Sequence, residues 1–213
     1  MTDDALAGTA PCACAERHTP RLVALTGGPG AGKTAILGVA KRHFCRHVLV
    51  LPESASIVYG GGFPRLDWPA ARRHAQAAIA QVQRHMEDIE LEAARAAVVL
   101  CDRGVPDGLA YWDGDEREFW SVVGASRESV LARYAAVLHL RPARDGHGYD
   151  HANPLRIESA REAERIDERI ALAWEGHPRI EVIDSTDDFV AKLQKTMALL
   201  EQFVPACCAR AAV

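Results

Sequence analysis

The sequence predicts an α/β fold built on a single parallel sheet, and three observations support this prediction. Five short apolar segments alternate with stretches that have helical periodicity. The first of them, 22–26, lacks polar alternation, as in a parallel strand buried on both faces. A glycine-rich segment, 27–34, joins it to the first helical stretch, 35–47. Strands alternating with helices in this way form a parallel sheet covered by helices.

The glycine-rich segment matches the pattern G-x-x-x-x-G-K-[ST] in full. Its glycines let the backbone turn tightly and approach an anion, and the N–H groups of the following helix N-terminus bind phosphate. We therefore predict a nucleoside triphosphate site in which Lys33 reaches the β- and γ-phosphates and Thr34 ligates Mg²⁺. The predicted binding residues are Gly28, Pro29, Gly30, Ala31, Gly32, Lys33, Thr34 and Ala35.

Length and composition limit the other possibilities. The chain has 213 residues with 48% apolar content, enough for one sizeable core. The net charge of -4 does not favour nucleic acid or a membrane surface as a partner. No apolar run approaches the roughly 20 residues of a membrane span. Residues 1–20 lack the apolar region of a secretory signal, and we expect a poorly ordered, disordered tail there.

The six cysteines do not form a disulfide-like framework, which favours a reducing, cytoplasmic location. Cys12 and Cys14 lie near one end of the chain, and Cys207 and Cys208 lie near the other. They could ligate a metal only if both ends came together, and their separations do not match standard zinc modules. We interpret these four as incidental thiols, and Cys101 as a small core residue.

The second predicted strand, 47–52, delivers Glu53 at its carboxyl end. Ligands bind at that edge of open parallel sheets, so this carboxylate is a candidate general base or metal ligand. The alternative is a helix cap or first-turn acid for the segment that follows. The loop 59–65 carries aromatic residues suited to an acceptor pocket, although a plain connector is nearly as consistent with it.

The third predicted strand, 96–101, ends in an acid of the Walker-B type, Asp102, which can hold Mg²⁺ opposite Thr34. Arg103 could contact a phosphate or clamp Glu53. The alternative is a turn with a surface ion pair. Before this strand, a helix over 69–93 has an apolar stripe at steps of three and four that includes Ile89.

After the third strand, a helix is expected to begin at Val105, with Asp107 facing either an acceptor or solvent. An acidic stretch, 113–118, is expected to be solvated. A short helix over 126–133 and a fourth strand over 135–140 follow.

The stretch 141–154 has no periodicity, which is typical of a lid or of a disordered loop, and we place a lid at about 141–157. Arginines in it could neutralise charge on a transferred phosphoryl group, and Arg156 is the best candidate. A helix over 158–175, a fifth strand over 179–184 and a helix over 188–203 complete the pattern.

We expect one domain, 21–204, with a short C-terminal tail over 205–213. Adenine is placed at the turn 185–187 by fold analogy alone.

The glycine-rich segment, Glu53, Asp102 with Arg103, and Arg156 each follow a successive predicted strand. Together they resemble small P-loop proteins labelled AAA-family ATPase-like or predicted kinases. The resemblance extends to the nicotinamide riboside kinase domain and to nucleoside and nucleotide kinases. It implies a three-layer P-loop NTPase fold of the nucleoside/nucleotide-kinase type, with a five-stranded parallel sheet in the order 2-3-1-4-5 and an arginine-bearing lid. It also implies that Glu53 acts as base on an acceptor hydroxyl, and that Asp102 and Arg103 serve Mg²⁺ and phosphate.

Two functions are consistent with these features. The first is an ATP- and Mg²⁺-dependent kinase with Lys33, Glu53, Asp102, Arg103 and Arg156 as catalytic residues, acting on a hydroxyl of a small molecule. The second is a regulatory ATPase or switch protein without a small-molecule acceptor. A kinase should enclose a partly aromatic cavity lined by residues such as Tyr59, Phe63, Tyr111 or Trp112.

Overall fold

The computed structural model describes residues 5–142, 160–184 and 188–208, and the fold below refers to these ranges. Five strands form one parallel sheet in the order β2-β3-β1-β4-β5, which confirms the predicted fold class and strand order. The strands are β1 (Arg21–Thr26), β2 (Val48–Leu51), β3 (Val98–Asp102), β4 (Tyr134–Leu140) and β5 (Ile180–Ile183).

Seven α-helices lie in the described ranges. They are α1 (Lys33–His43), α2 (Ser54–Gly60), α3 (Pro69–Ala93), α4 (Glu116–Val123), α5 (Arg127–Leu131), α6 (Ala160–Ala173) and α7 (Phe189–Glu201). Two 3-10 helices, Val105–Tyr111 and Ala206–Cys208, complete the described elements. No helix of these ranges is long and apolar enough to cross a membrane.

Side chains of alternate strand residues enter two separate cores, one on each face of the sheet. On one face, Leu22 and Val99 pack with Trp174 and other side chains from α3, α4 and α6. On the other face, Val23 and Leu100 pack with residues of α1 and α7. The two cores explain why the strands are apolar throughout, since each strand is covered from both sides. The arrangement is therefore three layers, helix on sheet on helix.

Two helices differ from the sequence-based expectation. The acidic stretch expected to be solvated contains the start of α4, whose N-terminus is capped by Asp115, and Phe119 and Trp120 of this helix are buried. In α3 the buried face includes Gln83 and Glu87, whereas Ile89 is 59% exposed. The predicted apolar stripe is confirmed in part, since Ala75 and Ile79 are buried. Ile89 is not, because polar residues that find hydrogen-bond partners occupy the buried face there.

Glu87 shows how such a partner set works. Its carboxylate accepts hydrogen bonds from the Tyr134 hydroxyl at 2.6 Å and from Gln83 Nε2 at 2.9 Å, and Arg133 forms an ion pair with it at 3.1 Å. Because Tyr134 belongs to β4, this network ties α3 to the sheet. Burial nevertheless raises the pKa of Glu87, so desolvation outweighs these partners.

The N-terminal segment, which we expected to be poorly ordered, has a defined course over residues 5–20. Its backbone follows the outer edge of β2, where Gly8 N donates to Val48 O at 2.8 Å and Val50 N donates to Leu6 O at 3.0 Å. These bonds give the segment the ordering partners that a free tail lacks.

Candidate functional site

The loop after β1 has the backbone conformation of an anion-binding turn. Gly27, Gly30 and Gly32 adopt φ values of +130°, +80° and +89°, which residues with a side chain rarely adopt. A Cβ at Gly27 would lie 2.0 Å from the carbonyl oxygen of Leu140. Glycine is therefore required here by both conformation and space. Helix α1 begins immediately after the loop, so its free N–H groups lie at the same place.

Lys33 is buried beneath this loop. Its Nζ donates to Gly27 O at 2.8 Å and to Gly28 O at 3.1 Å. Burial, with a further contribution from the Arg103 guanidinium, lowers the pKa of Lys33 to about 7. An anion bound in the loop would favour the protonated amine, so phosphate binding there would raise the pKa of Lys33.

Asp102 lies beside the loop, since it pairs in register with Leu25 of β1. Burial raises the pKa of this carboxyl to about 6. Its Oδ1 is buried and makes no hydrogen bond to any described residue. An unsatisfied buried carboxylate oxygen next to an anion site fits the hard oxygen ligands that Mg²⁺ prefers. Thr34, the second predicted metal ligand, is exposed in the first turn of α1.

Glu53 and Arg103 form an ion pair at the same edge of the sheet. Arg103 Nε lies 2.8 Å from Glu53 Oε1, and Arg103 Nη1 donates to Gly27 O at 3.2 Å. The Ser56 hydroxyl donates to Glu53 Oε2 at 2.6 Å. Burial opposes ionisation of Glu53, but Arg103 and Ser56 outweigh it and lower the pKa of the carboxyl. Glu53 occupies the N-cap position of α2 but makes no capping bond, because its carboxylate is bonded to Arg103 and Ser56 instead.

Asp107 faces neither an acceptor nor solvent, which were the two expectations. It is 3% exposed, and its carboxylate accepts hydrogen bonds from the Thr26 hydroxyl, Gly104 N and Trp174 Nε1. Arg103 Nη1 also lies 3.4 Å from it. Asp107 therefore holds Arg103, itself at φ +73°, in a fixed place between β1 and the 3-10 helix.

Asp167 of α6 is a site residue that the sequence analysis missed. Its carboxylate accepts from Gly28 N at 2.7 Å and lies 2.8 Å from His139 Nε2 and 2.9 Å from Arg141 Nη1. Burial opposes its ionisation, but these partners outweigh burial and lower the pKa. The loop is thus anchored to α6 as well as to β1. The sequence predicted a helix over 158–175, but no signal in it marked this acid.

The aromatic residues expected at an acceptor pocket separate into different places. Trp112 is buried in the core and packs edge-on against Phe119, with ring centroids 5.4 Å apart. Tyr111 remains near the site, with the Arg103 guanidinium 5.9 Å from its ring centroid. Tyr59 instead contacts Arg65, which lies 5.2 Å from its ring. Of these rings, Tyr111 is therefore the one that the structure places beside the Glu53–Arg103 pair.

Two predicted parts of the site fall outside the described residues. Arg156 and the lid 141–157 lie there, except for residues 141 and 142, and so does the turn 185–187 proposed for adenine. Arg141 itself pairs with Asp167, next to the phosphate loop.

The three-layer fold, the glycine-rich loop and the adjoining acid define a P-loop nucleotide-binding protein with a kinase-like architecture. A family model described as an AAA domain matches residues 22–191, and the chain belongs to this family. No curated protein sequence matches the chain.

Solved structures support the fold. The NadR protein in complex with NAD and AMP-PNP is 14% identical with a TM-score of 0.62; the alignment covers 92% of this chain and 53% of NadR. Deoxyadenosine kinase from M. mycoides with bound dATP is 13% identical with a TM-score of 0.53, and the alignment covers 85% of this chain and 99% of the kinase. Thymidylate kinase from Ehrlichia chaffeensis is 13% identical with a TM-score of 0.54, and the alignment covers 85% of this chain and 98% of the kinase. This chain spans about half the length of NadR and the whole length of the two kinases. At such identities the likeness is one of fold.

Proposed function

We propose that the protein is an ATP- and Mg²⁺-dependent kinase that transfers the γ-phosphoryl group to a hydroxyl of a small molecule, such as a nucleoside-like metabolite. The observation that carries this proposal is the pairing of Glu53 with Arg103 beside the phosphate loop. Arg103 Nε lies 2.8 Å from Glu53 Oε1, and Arg103 Nη1 also donates a hydrogen bond to Gly27 O of the loop. An ionised carboxylate beside the phosphate loop is the group that can accept a proton from an acceptor hydroxyl.

In the proposed reaction, the oxygen of the acceptor hydroxyl attacks the γ-phosphorus, and the Glu53 carboxylate accepts the proton of that hydroxyl. The bond from that phosphorus to the β–γ bridging oxygen breaks, and ADP leaves. Lys33 and Arg103 stabilise the negative charge on the phosphoryl oxygens, because preorganised cations in a water-poor site act strongly. The ion pair with Arg103 also keeps Glu53 deprotonated at neutral pH, as a general base requires.

Thr34 and Asp102 would hold Mg²⁺, which when bound neutralises charge on the β- and γ-phosphates. The unpartnered Oδ1 of Asp102 is the group that supports this assignment. We assign to Arg156 the role of a lid arginine that completes the charge around the transferred group.

The test is acceptor-stimulated release of ADP from Mg·ATP across a panel of nucleosides, sugars and vitamins. With an active acceptor, Glu53→Gln should lower turnover by about 100-fold or more, since a general base contributes that much, while the Kd for ATP changes little. Glu92→Gln, the same substitution at an exposed position of α3, is the matched control and should retain wild-type turnover.

The competing function is a nucleotide-dependent switch, and the same assay separates the two. ATP turnover that no acceptor stimulates and that Glu53→Gln leaves unchanged would contradict the kinase proposal and favour the switch. If Glu53→Gln weakened ATP binding as much as it lowered turnover, the result would contradict the general-base role, because that role predicts loss of phosphoryl transfer alone.

A further inference from the structure

In the structure, residues from near both ends of the sequence meet in a cluster of sulfur and imidazole groups, which the sequence analysis did not predict. The cluster, hereafter the cysteine–histidine cluster, combines three segments: the N-terminal segment, the turn before β2, and the C-terminal 3-10 helix. Its members are Cys12, Cys14, His18, Cys45, His47, Cys207 and Cys208. We propose that this cluster is a structural site for two Zn²⁺ ions bridged by the Cys208 thiolate.

The ligand atoms divide into two sets of four that share one sulfur. The inner set is Cys12, Cys45, His47 and Cys208. The outer set is Cys14, His18, Cys207 and Cys208. In each set the four ligand atoms all lie within 4.8 Å of one another. Each set offers three sulfurs and one imidazole nitrogen, which is the Cys₃His combination of structural zinc sites.

The distances in the inner set agree with tetrahedral geometry. Zn–S bonds of about 2.3 Å and Zn–N bonds of about 2.0 Å place a sulfur and a nitrogen ligand about 3.5 Å apart. His47 Nδ1 lies 3.7, 3.8 and 3.2 Å from the sulfurs of Cys12, Cys45 and Cys208, respectively. These three contacts use the same ring nitrogen, so a single ion at the centre would meet all four ligands.

The outer set has the same geometry with the other ring nitrogen. His18 Nε2 lies 3.5, 3.9 and 3.4 Å from the sulfurs of Cys14, Cys207 and Cys208. The sulfurs of Cys207 and Cys208 are 3.9 Å apart, close to the ~3.8 Å between two thiolates of one tetrahedral ion. This separation is far longer than the ~2.05 Å of a disulfide, and all five thiols are unpaired.

The surroundings of the cluster also suit a metal site. Cys14 N donates to the Cys12 sulfur at 3.4 Å, and Arg46 Nη2 donates to Cys14 O at 2.9 Å. Such outer contacts orient metal ligands. Cys45, His47 and Cys208 are buried, so the proposed bridging sulfur and two other inner ligands are shielded from solvent.

The site lies far from the nucleotide chemistry. Cys45 and His47 immediately precede β2, at the amino ends of the parallel strands, whereas the phosphate loop follows β1 at the carboxyl ends. We therefore assign it a structural role, in which the ions fasten both chain ends to the start of β2. Metal binding of this kind contributes directly to folding.

The test measures zinc in protein purified without added chelator, by elemental analysis against protein concentration. Wild type should carry two zinc ions per chain. His18→Ala should carry one, because the inner set stays complete, and Cys208→Ser should carry none or fewer than one. Two matched controls should keep two ions: His43→Ala, a histidine paired with Glu201 outside the cluster, and Cys101→Ala, the sixth cysteine.

Cobalt replacement tests the geometry without any variant. Extraction with a chelator and reloading with Co²⁺ should give thiolate-to-cobalt charge transfer and the strong visible bands of tetrahedral cobalt, and should restore the thermal midpoint lost on extraction. ATP affinity of the extracted protein, measured while it stays folded, should be retained. Wild type with no metal, six titratable thiols and an unchanged thermal midpoint after chelation would overturn the proposal. Disulfides in the cluster or an iron–sulfur chromophore would also overturn it.

Discussion

Replacing Asp102 with asparagine should make the stability of the ligand-free protein less sensitive to pH. Burial raises the pKa of this carboxyl from 3.8 to about 6, so the folded protein keeps a proton that the unfolded chain releases near pH 4. The stability contributed by the protonated carboxyl is complete below pH 4 and is lost as the pH rises through about 6. A shift of about two units corresponds to ~3 kcal/mol at 1.36 kcal/mol per unit.

The assay is urea unfolding of both proteins at half-unit steps from pH 4 to pH 7, followed by tryptophan fluorescence. The free energy of unfolding of Asp102→Asn relative to wild type should rise by up to ~3 kcal/mol across this interval. The pH dependence of this difference reports the ionisation of Asp102 alone. Any destabilisation from the buried asparagine amide is the same at each pH. Saturating Mg·ATP should remove most of the difference by stabilising wild type. A difference that stays flat with pH would refute the claim that this carboxylate is desolvated and unpartnered.

Three further predictions follow from the site. Because burial lowers the pKa of Lys33 to about 7, ATP binding at pH 8 should take up a proton, which calorimetry in buffers of different ionisation enthalpy would detect; no uptake would contradict the assignment. Gly27→Ala, with its Cβ 2.0 Å from Leu140 O, should cost about 3 kcal/mol or more, whereas Gly60→Ala, with open space around it, should stay within about 0.5 kcal/mol in urea unfolding. Asp107→Asn should cost about 2–4 kcal/mol in the same assay, because it breaks a buried network that includes a charge; a near-neutral effect would contradict that network.

The sheet and the phosphate loop could be predicted because their signals are local. Buried parallel strands are continuous apolar runs, so their carboxyl ends can be located in the sequence within a residue or two. Glu53 and Asp102 follow directly from that rule, and the structure places both beside the loop. The pairing of Arg103 with Glu53 was one of the two contacts predicted for this arginine, and the structure shows it.

Buried polar residues were harder to predict, because their partners come from distant parts of the chain. Asp107 and Asp167 look like ordinary surface acids in the sequence, yet one binds Trp174 and the other binds Gly28 and His139. The grouping of the cysteines in space could not be predicted for the same reason. Their spacing in the sequence matches no zinc module, and they come together only because the fold brings three separate segments to one place.

The hydrogen bonds between the N-terminal segment and β2 protect an outer strand of the sheet. Open strand edges invite pairing with strands of other molecules, which leads to aggregation. Here the main-chain groups of Val48 and Val50 are already bonded to Gly8 and Leu6. A protein shortened by its first 20 residues would uncover that edge, and self-association in solution would follow even if the nucleotide-binding half stayed intact.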